Sequence, residues 1–233
     1  MALDTESFDL LLPTLQRFIS ERLIPAENHL EEYDDVPLDI VQDMKDMGLF
    51  GLTVPEEFGG IGLSVSQEVL VNYELGRTAP AFRSVFGTNI GIGSQGILMD
   101  GTSEQKAAYL PRVASGELIM SFALTEPDVG TDAASLKTRA ELDGDHYVLN
   151  GTKRYITNSP FAKLALIMAR TTKESLPKNA HVSAFLVPTD TPGVSIGSSA
   201  RTTARKTAFS SWRMLPGQSW RMRRSSVVVE TRS

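Results

Sequence analysis

The stretch LIMSFALTEPDVGTD, residues 118–132, is where the sequence pattern changes from helical to extended. Its first half is an apolar run with one β-branched and one aromatic residue, which is typical of a buried strand. Its second half carries two hydroxyls six residues apart, on Thr125 and Thr131, and Gly130, whose backbone a ligand can approach closely. The stretch therefore predicts a strand that runs into a polar loop. That loop is either a ligand-binding segment or an ordinary capped turn.

The sequence after this loop predicts further strands. The segment KTRAELDGDHYVLNGTKRYIT (137–157) contains Asp143-Gly144 and Asn150-Gly151, two dipeptides that favour tight hairpins. Two apolar runs, LALIMAR and HVSAFLVP, predict strands over 164–170 and 181–188, around a polar loop.

The sequence before residue 118 predicts helices joined by short turns. Apolar residues recur at three- and four-residue intervals through the first helix, which Pro25 ends. Pro13 lies inside this stripe, so we expect the helix to bend or to begin there. Further helices are predicted from Pro37 to Gly48 and over residues 64–76, 81–99 and 103–114.

Composition narrows the classes to which the chain can belong. The chain has 233 residues, of which 41% are hydrophobic and 22% charged, and this is globular. The absence of cysteine excludes disulfides, thiolate metal sites and a cysteine nucleophile. The three histidines lack the spacing of metal ligands, so we expect no metal site. No run of 18 apolar residues exists, so we expect no membrane span, and the acidic N-terminus favours a cytoplasmic protein.

A second candidate segment, KRYITN (153–158), leaves the predicted Asn150-Gly151 hairpin. Alternation along a strand would place Tyr155 and Thr157 on the same face. A flat ring beside a hydroxyl suits the plane and polar edge of a flavin. The same pair also occurs on ordinary half-buried strands, so this segment alone does not decide between the two interpretations.

Taken in order, ALTEPDVGTD and NGTKRYITN make the chain resemble the acyl-CoA dehydrogenase family. The helical part agrees, since MKDMGLFGLTVPEEFGGIGLS (44–64) and GTSEQKAAYLPRVASGE (101–117) are similar to segments of that family. The resemblance runs from about residue 6 to 197. It implies a flavoenzyme of fatty acid metabolism that uses FAD to oxidise an acyl-CoA thioester to a 2-enoyl-CoA.

The resemblance also implies which residues hold FAD. In the first segment these are Phe122, Ala123, Leu124, Thr125, Gly130 and Thr131, and in the second Tyr155, Ile156 and Thr157. Thr125 would hydrogen-bond the pyrimidine side of the flavin, and Thr131 would face the pyrophosphate and the acyl-CoA substrate. Tyr155 stands where the family often has tryptophan, and Thr157 would lie near the flavin nitrogen that accepts the hydride. Val129 departs from the small residue usual at its position.

The fold that these patterns predict is α+β. We expect an N-terminal all-helical domain over residues 1–117 and a β-barrel-like, incomplete middle domain over 118–198, with the family's C-terminal helical bundle missing. The family's catalytic glutamate lies in that bundle, so no catalytic residue is predicted in this chain.

The last 35 residues differ in composition from the rest. Residues 199–233 carry a net charge of +7 within a chain of net charge -5, and the family resemblance stops near Gly197. We expect a truncated chain whose tail comes from a frameshifted or misjoined reading frame. The alternative is a genuine basic tail that binds nucleic acid or an anionic surface, which we disfavour because no recognised binding fold accompanies it.

These features predict most of the front half of an FAD-dependent acyl-CoA dehydrogenase. The full-length enzyme would pass electrons to an electron-transfer flavoprotein and form a homo-oligomer, whereas this chain alone would bind FAD weakly and turn over poorly. Two alternatives stay open. One is an acyl-CoA oxidase or monooxygenase-like relative of the same fold, and the other is a non-catalytic module that binds flavin or acyl-CoA.

Overall fold

The computed structural model describes residues 3–33, 35–144, 146–171, 182–196, 210–214, 220–223 and 227–229. Helices occupy the first half of the chain and strands the second, which confirms the α+β fold with the helical part first. Most of the polar loop predicted before residue 181 and most of the basic tail lie outside the described residues.

The helical part contains seven α-helices in the described residues. They are α1 (Thr5–Phe18), α2 (Glu27–Tyr33), α3 (Leu38–Asp46), α4 (Val65–Leu75), α5 (Pro80–Ile90), α6 (Ile92–Asp100) and α7 (Ser103–Ala114). A π-helical segment, Ile19–Leu23, continues α1, and single 3-10 turns occur at Leu49–Gly51 and Glu56–Phe58. The helix α1 begins at Thr5 and contains Pro13, so the expectation that it begins at this proline is wrong.

Local hydrogen bonds fix where these helices begin. The Asp4 carboxylate accepts from the backbone N–H of Ser7 at the start of α1. A capping box starts α4, where Ser64 and Gln67 satisfy each other's backbone N–H groups, and Thr102 starts α7 in the same way. The helix predicted over residues 103–114 has these bounds in the structure, with Thr102 as the residue that caps it.

The predicted helix over 81–99 is wrong, because two helices meet at Gly91. This glycine has φ −116° and ψ −123°, outside the helical region, and it separates α5 from α6. The Thr53 hydroxyl donates to the carbonyl of Ile90, so the last residue of α5 has a partner from outside the helix. The break therefore depends on a tertiary contact that the local pattern does not show.

The β-rich part consists of two sheets. The strands are β1 (Met120–Ala123), β2 (Arg139–Asp143), β3 (His146–Asn150), β4 (Thr152–Ile156), β5 (Leu164–Arg170), β6 (Val182–Pro188), β7 (Val194–Ile196), β8 (Ser210–Met214), β9 (Trp220–Arg223) and β10 (Val227–Val229). The larger sheet has the order β10-β6-β5-β2-β3-β9, and β1 pairs in parallel with β5. The smaller sheet has the order β4-β8-β7. Within the described residues neither sheet closes on itself. The domain that was expected to be β-barrel-like is therefore a mixed-sheet domain.

The two predicted hairpins have opposite outcomes. Asp143-Gly144 is a turn between antiparallel β2 and β3, with Gly144 at φ +64°, as predicted. Asn150-Gly151 is not a hairpin, because β3 and β4 lie in different sheets. A Cβ atom at Gly151 would lie 2.3 Å from the Thr138 hydroxyl oxygen. The glycine therefore allows close packing where the chain passes from one sheet to the other.

Three short segments of the basic tail pair with these sheets through their backbones. The strand β8 lies between β4 and β7, β9 pairs with β3, and β10 pairs with β6. The origin of the tail in a shifted reading frame stays a prediction, as does the domain boundary at residue 198.

One buried side chain joins the helical part to the first strand. Asn89, on α5, donates from Nδ2 to the carbonyls of Val113 (3.1 Å) and Leu118 (2.8 Å). Its Oδ1 accepts from the backbone N–H of Met120 at 2.9 Å. The start of β1 is thereby held against α5, which positions the loop that follows β1.

In the part of the chain that the structure describes, none of the helices has both the length and the apolar character needed to cross a membrane.

Candidate functional site

Residues from both predicted segments line one cavity of about 390 Å³. The first segment contributes Phe122, Leu124 and Thr125, and the second contributes Tyr155, Ile156 and Thr157. The remaining lining residues come from α5 and the α5–α6 junction: Arg83, Ser84, Gly87, Thr88, Gly91 and Ile92. Thr125 thus shares one cleft with Tyr155 and Thr157, which lie 30 residues or more further along the chain.

Three of the predicted cofactor residues do not line this cavity. Ala123 is fully buried in the core of the sheet. Gly130 and Thr131 lie in the exposed loop after β1. Their roles toward a cofactor or a substrate stay predictions.

The second segment reaches the cavity through irregular backbone, so the predicted strand alternation is not the cause. Tyr155 has φ +60°, and the pairing of β4 with β8 shifts register between Lys153 and Ile156. Thr157 lies just past the end of β4, and Asn158 has φ +63°. Positive φ angles at residues other than glycine cost free energy and are enriched at functional sites. The Tyr155 side chain is half exposed, and the Arg154 guanidinium lies 4.6 Å from its ring centroid.

Direct hydrogen bonds tie the two segments together. The backbone N–H of Arg154 donates to the Thr125 carbonyl at 2.8 Å. The Lys153 ammonium donates to the Leu124 carbonyl at 3.0 Å and to Glu126 Oε1 at 2.8 Å. The positions of Thr125 and Thr157 relative to each other therefore depend on Lys153.

Glu126 is the centre of this network. Its carboxylate accepts from the Lys137 backbone N–H (2.6 Å) and from the Thr138 backbone N–H (2.8 Å) and hydroxyl (2.5 Å), besides Lys153. The side chains of Glu126 and Lys153 are only 4% and 0% exposed. The Glu126 carboxylate is therefore an ion-pair and hydrogen-bond partner within the network.

The ionisation of this pair follows from its contacts. Burial by itself would raise the pKa of Glu126, but the hydrogen bonds from Lys153, Thr138 and Lys137 outweigh burial and lower that pKa. Burial lowers the pKa of Lys153, and Glu126 opposes this effect. We therefore treat the pair as a carboxylate and an ammonium that neutralise each other.

The sequence analysis missed the contribution of α5. Asn158 donates from Nδ2 to the carbonyls of Ser84 and Val85, each at 3.2 Å, and so connects the second segment to this helix. The one available signal was the spacing of Gly87 and Gly91, which places two residues without side chains one turn apart at this wall of the cavity.

A larger cavity of about 750 Å³ lies beside α2 and α3 and reaches Phe161. It contains no residue that the sequence analysis predicted for a site. Its lining is mostly apolar, and hydroxyls from separate segments do not converge there. We take the smaller cavity as the candidate site, because polar groups from three elements converge in it.

Two family models match the chain. The description "Acyl-CoA dehydrogenase, N-terminal domain" matches residues 5–117, and "Acyl-CoA dehydrogenase, middle domain" matches residues 121–215. The second match passes Gly197, so the family similarity extends further than the sequence analysis placed it.

Individual relatives agree with these matches. The chain is 41% identical over 171 residues to a (2S)-methylsuccinyl-CoA dehydrogenase of Cereibacter sphaeroides, covering 73% of this chain and 31% of the relative. It is 33% identical over 187 residues to the mitochondrial isovaleryl-CoA dehydrogenase of Pongo abelii, covering 79% of this chain and 44% of the relative. The chain thus spans less than half the length of these two relatives.

A solved structure shows the same fold. The glutaryl-CoA dehydrogenase of Mycobacterium smegmatis in complex with FADH2 superposes with a TM-score of 0.81 at 30% identity, over 98% of this chain and 56% of that chain. The two family models together match most of the chain, so it belongs to the acyl-CoA dehydrogenase family.

Proposed function

We propose that this chain provides the flavin- and thioester-binding part of an enzyme that oxidises an acyl-CoA to a 2-enoyl-CoA. The observation that carries the proposal is the shared cavity, to which Thr125, Tyr155 and Thr157 contribute from two segments. The family membership supports the reaction class.

The residues of the cavity fit a flavin. The isoalloxazine system needs an apolar surface against its plane and hydrogen-bond partners at its polar edge. Tyr155 and Ile156 supply the surface, and the hydroxyls of Thr125 and Thr157 supply the partners. Bound FAD would supply the acceptor for the hydrogen that leaves the acyl chain. Gly130 and Thr131 are proposed to extend the site along the exposed loop.

Other lining residues make the cavity suitable for a thioester. Phe122 and Leu124 exclude water from one wall, which strengthens the hydrogen bonds that the two threonines make there. The acyl chain is proposed to lie along the wall that α5 forms.

The catalytic base is not among the described lining residues. None of those residues is a carboxylate, and Glu126 nearby is already held by Lys153, Thr138 and Lys137. The family resemblance places the base in a helical bundle that follows the middle domain. The resemblance implies that the same bundle holds the adenine end of FAD, so we propose that this chain alone binds FAD weakly and turns over poorly.

Partners and alternatives follow from the same reasoning. An electron-transfer flavoprotein is the proposed electron acceptor, and the full-length enzyme is proposed to be a homo-oligomer. An acyl-CoA oxidase of the same fold would instead release hydrogen peroxide. A non-catalytic module would bind FAD or acyl-CoA without flavin bleaching.

The test is a titration of the purified chain with FAD, followed by quenching of flavin fluorescence. Thr125→Val and Thr157→Val should each weaken FAD binding roughly 5- to 10-fold, the value of one lost hydrogen bond. Thr14→Val, on the exposed face of α1, is the matched control and should bind as the parent does. Unchanged binding in both site variants would overturn the proposed site. A yellow sample that bleaches with acyl-CoA would overturn the prediction of weak activity.

A further inference from the structure

The Lys153 ammonium contacts the backbone of the candidate cavity as well as its ionic partner. The side chain is fully buried, and its Nζ donates to Glu126 Oε1 at 2.8 Å. The same Nζ donates to the Leu124 carbonyl at 3.0 Å. This carbonyl belongs to the peptide group between Leu124 and Thr125, two residues that line the cavity. A buried positive charge is thus hydrogen-bonded directly to a backbone group of the cavity wall.

The geometry of that peptide group determines where the effect of the contact is felt. Among the described residues every peptide bond is trans, and in a trans peptide the C=O and N–H groups point in opposite directions. The Leu124 carbonyl points toward Lys153, so the N–H of Thr125 points away from the buried ammonium. Within the described part of the chain, this N–H donates to no backbone or side-chain acceptor. It is therefore available to a ligand that lies against Thr125.

A hydrogen bond to a peptide carbonyl strengthens the donor on the other side of the same peptide group. Hydrogen bonds in series polarise one another, and the interior of a protein strengthens this effect because its dielectric constant is low. A charged donor such as an ammonium polarises more than a neutral one. The N–H of Thr125 is therefore a stronger donor than an ordinary backbone N–H, above all toward an acceptor that carries negative charge.

Glu126 holds the ammonium in this position. Its carboxylate also accepts from the Thr138 backbone N–H at 2.8 Å and from the Thr138 hydroxyl, so it is fixed from a second side. Burial disfavours a charged lysine, and Glu126 opposes that effect. The ion pair is neutral as a whole, but its positive end is the one that contacts the Leu124 carbonyl.

We infer that Lys153 is a positioning residue that acts through the Leu124–Thr125 peptide group and makes the cavity bind reduced flavin more tightly than oxidised flavin. Reduction adds negative charge to the pyrimidine ring of a flavin, and hydrogen bonds to this ring tune the potential. A polarised N–H donor therefore favours the reduced form. The inference rests on the proposed function, because it needs a flavin against Thr125, and deepens it by naming what sets the flavin's electron affinity.

The experiment measures two dissociation constants of the full chain by ultrafiltration. One is for oxidised FAD, and the other is for FAD reduced with dithionite under nitrogen. Their ratio is the readout, because a distorted cavity weakens both forms alike. The parent chain should bind reduced FAD more tightly. Lys153→Met should reduce that preference roughly 5- to 10-fold, the difference between a charge-assisted and a neutral hydrogen bond, or about 20–30 mV for a two-electron couple.

Three further variants separate polarisation from structural support. Glu126→Gln/Lys153→Met removes both charges and keeps an acceptor for the Thr138 N–H, so it carries the test if Lys153→Met does not fold. Thr138→Val removes a hydrogen bond to the same carboxylate but keeps the ammonium, so the ratio should stay within twofold. Lys163→Met removes an exposed lysine and should leave both constants unchanged. Thermal unfolding of each variant shows whether it is folded.

Each opposing outcome has its own meaning. An equal loss of affinity for both forms of FAD in the Lys153 variants would reduce Lys153 to structural support and overturn the inference. A similar change of ratio in Thr138→Val or Lys163→Met would assign the effect to distortion or to net charge, with the same consequence. A parent chain that binds oxidised FAD at least as tightly as reduced FAD would overturn the inference alone, whereas one that binds neither form would overturn the proposed function as well.

Discussion

Glu126 and Lys153 show how single residues determine the candidate site. Neither faces the cavity as a lining residue, yet together they fix the loop after β1 to the strand β4. Breaking a buried ion pair is costly, because the remaining charge loses its partner without regaining water. We therefore expect the site to be more sensitive to this pair than to several of the residues that line it.

Removal of one partner tests this role. Glu126→Gln or Lys153→Met should lower the free energy of unfolding by about 3–5 kcal/mol, because each leaves a buried group without its ionic partner. Urea denaturation measures the loss. Lys137→Met is the control, since its pair with Asp128 is exposed and should contribute less than about 1 kcal/mol. Equal losses in the buried and exposed pairs would contradict this prediction.

The pH dependence of stability follows from the lowered pKa of Glu126. A carboxyl with a lower pKa in the folded chain stabilises the fold above its unfolded pKa, here near 4.5, and that contribution disappears as pH falls through the folded pKa. We expect acid to destabilise the parent more steeply below pH 4.5 than it destabilises Glu126→Gln. Urea midpoints measured at a series of pH values would show the difference in slope. If the midpoints of the parent and of Glu126→Gln change in parallel with pH, Glu126 is not the cause of the acid sensitivity.

At the scale of elements, the corner between β3 and β4 decides where the second candidate segment lies. Asn150-Gly151 has the sequence of a hairpin, but close packing against Thr138 sends the chain into the second sheet. Thr138 also donates to Glu126, so the corner and the ion pair share a residue. The orientation of β4, and with it of Tyr155, depends on both.

Gly151→Ala tests the corner. The added methyl group would overlap the Thr138 side chain, so we expect a loss of roughly 1–3 kcal/mol in the free energy of unfolding and weaker FAD binding. Gly130→Ala is the matched control for stability, because nothing lies within 4 Å of its added Cβ. A Gly151→Ala chain as stable as Gly130→Ala would show that the corner can relax.

For the whole molecule, the candidate cavity is where the helical and β-rich parts meet. The helix α5 forms one wall, the strand ends form the other, and Asn158 and Asn89 connect the two. Ligand binding at such a boundary should stabilise both parts, since unfolding of either one destroys the site.

Hydrogen exchange can detect this coupling. With FAD at ten times its dissociation constant we expect about 1.4 kcal/mol of added protection. The protection should include amides of α5 as well as those of β1 and β4. The Thr157→Val variant at the same FAD concentration should show less added protection than the parent chain. Protection limited to the strands would separate α5 from the FAD site.

The sequence predicted the elements better than their contacts. The predicted strand LALIMAR has the same bounds as β5, because a strand buried on both faces is a nearly continuous apolar run that is visible in the sequence. The break at Gly91 and the corner at Gly151 were missed, because each depends on a partner distant in sequence: Thr53 in one case and Thr138 in the other.

The residues of the candidate site were also predicted only in part from the sequence. Thr125 and Thr157 were expected in one cleft, and the structure places both in the lining of one cavity. Arg83 lies on a helix whose pattern gave no reason to place it there. A single sequence shows the residues of a loop motif, but the helix that packs across from it is set by the fold.

The buried ion pair behind the candidate site also limits which substitutions this chain can accept during evolution. Because loss of either Glu126 or Lys153 leaves a stranded charge, a lineage cannot replace them one at a time without passing through an impaired ancestor. We therefore expect related sequences either to keep both residues or to replace both together, by a pair of uncharged residues of similar volume.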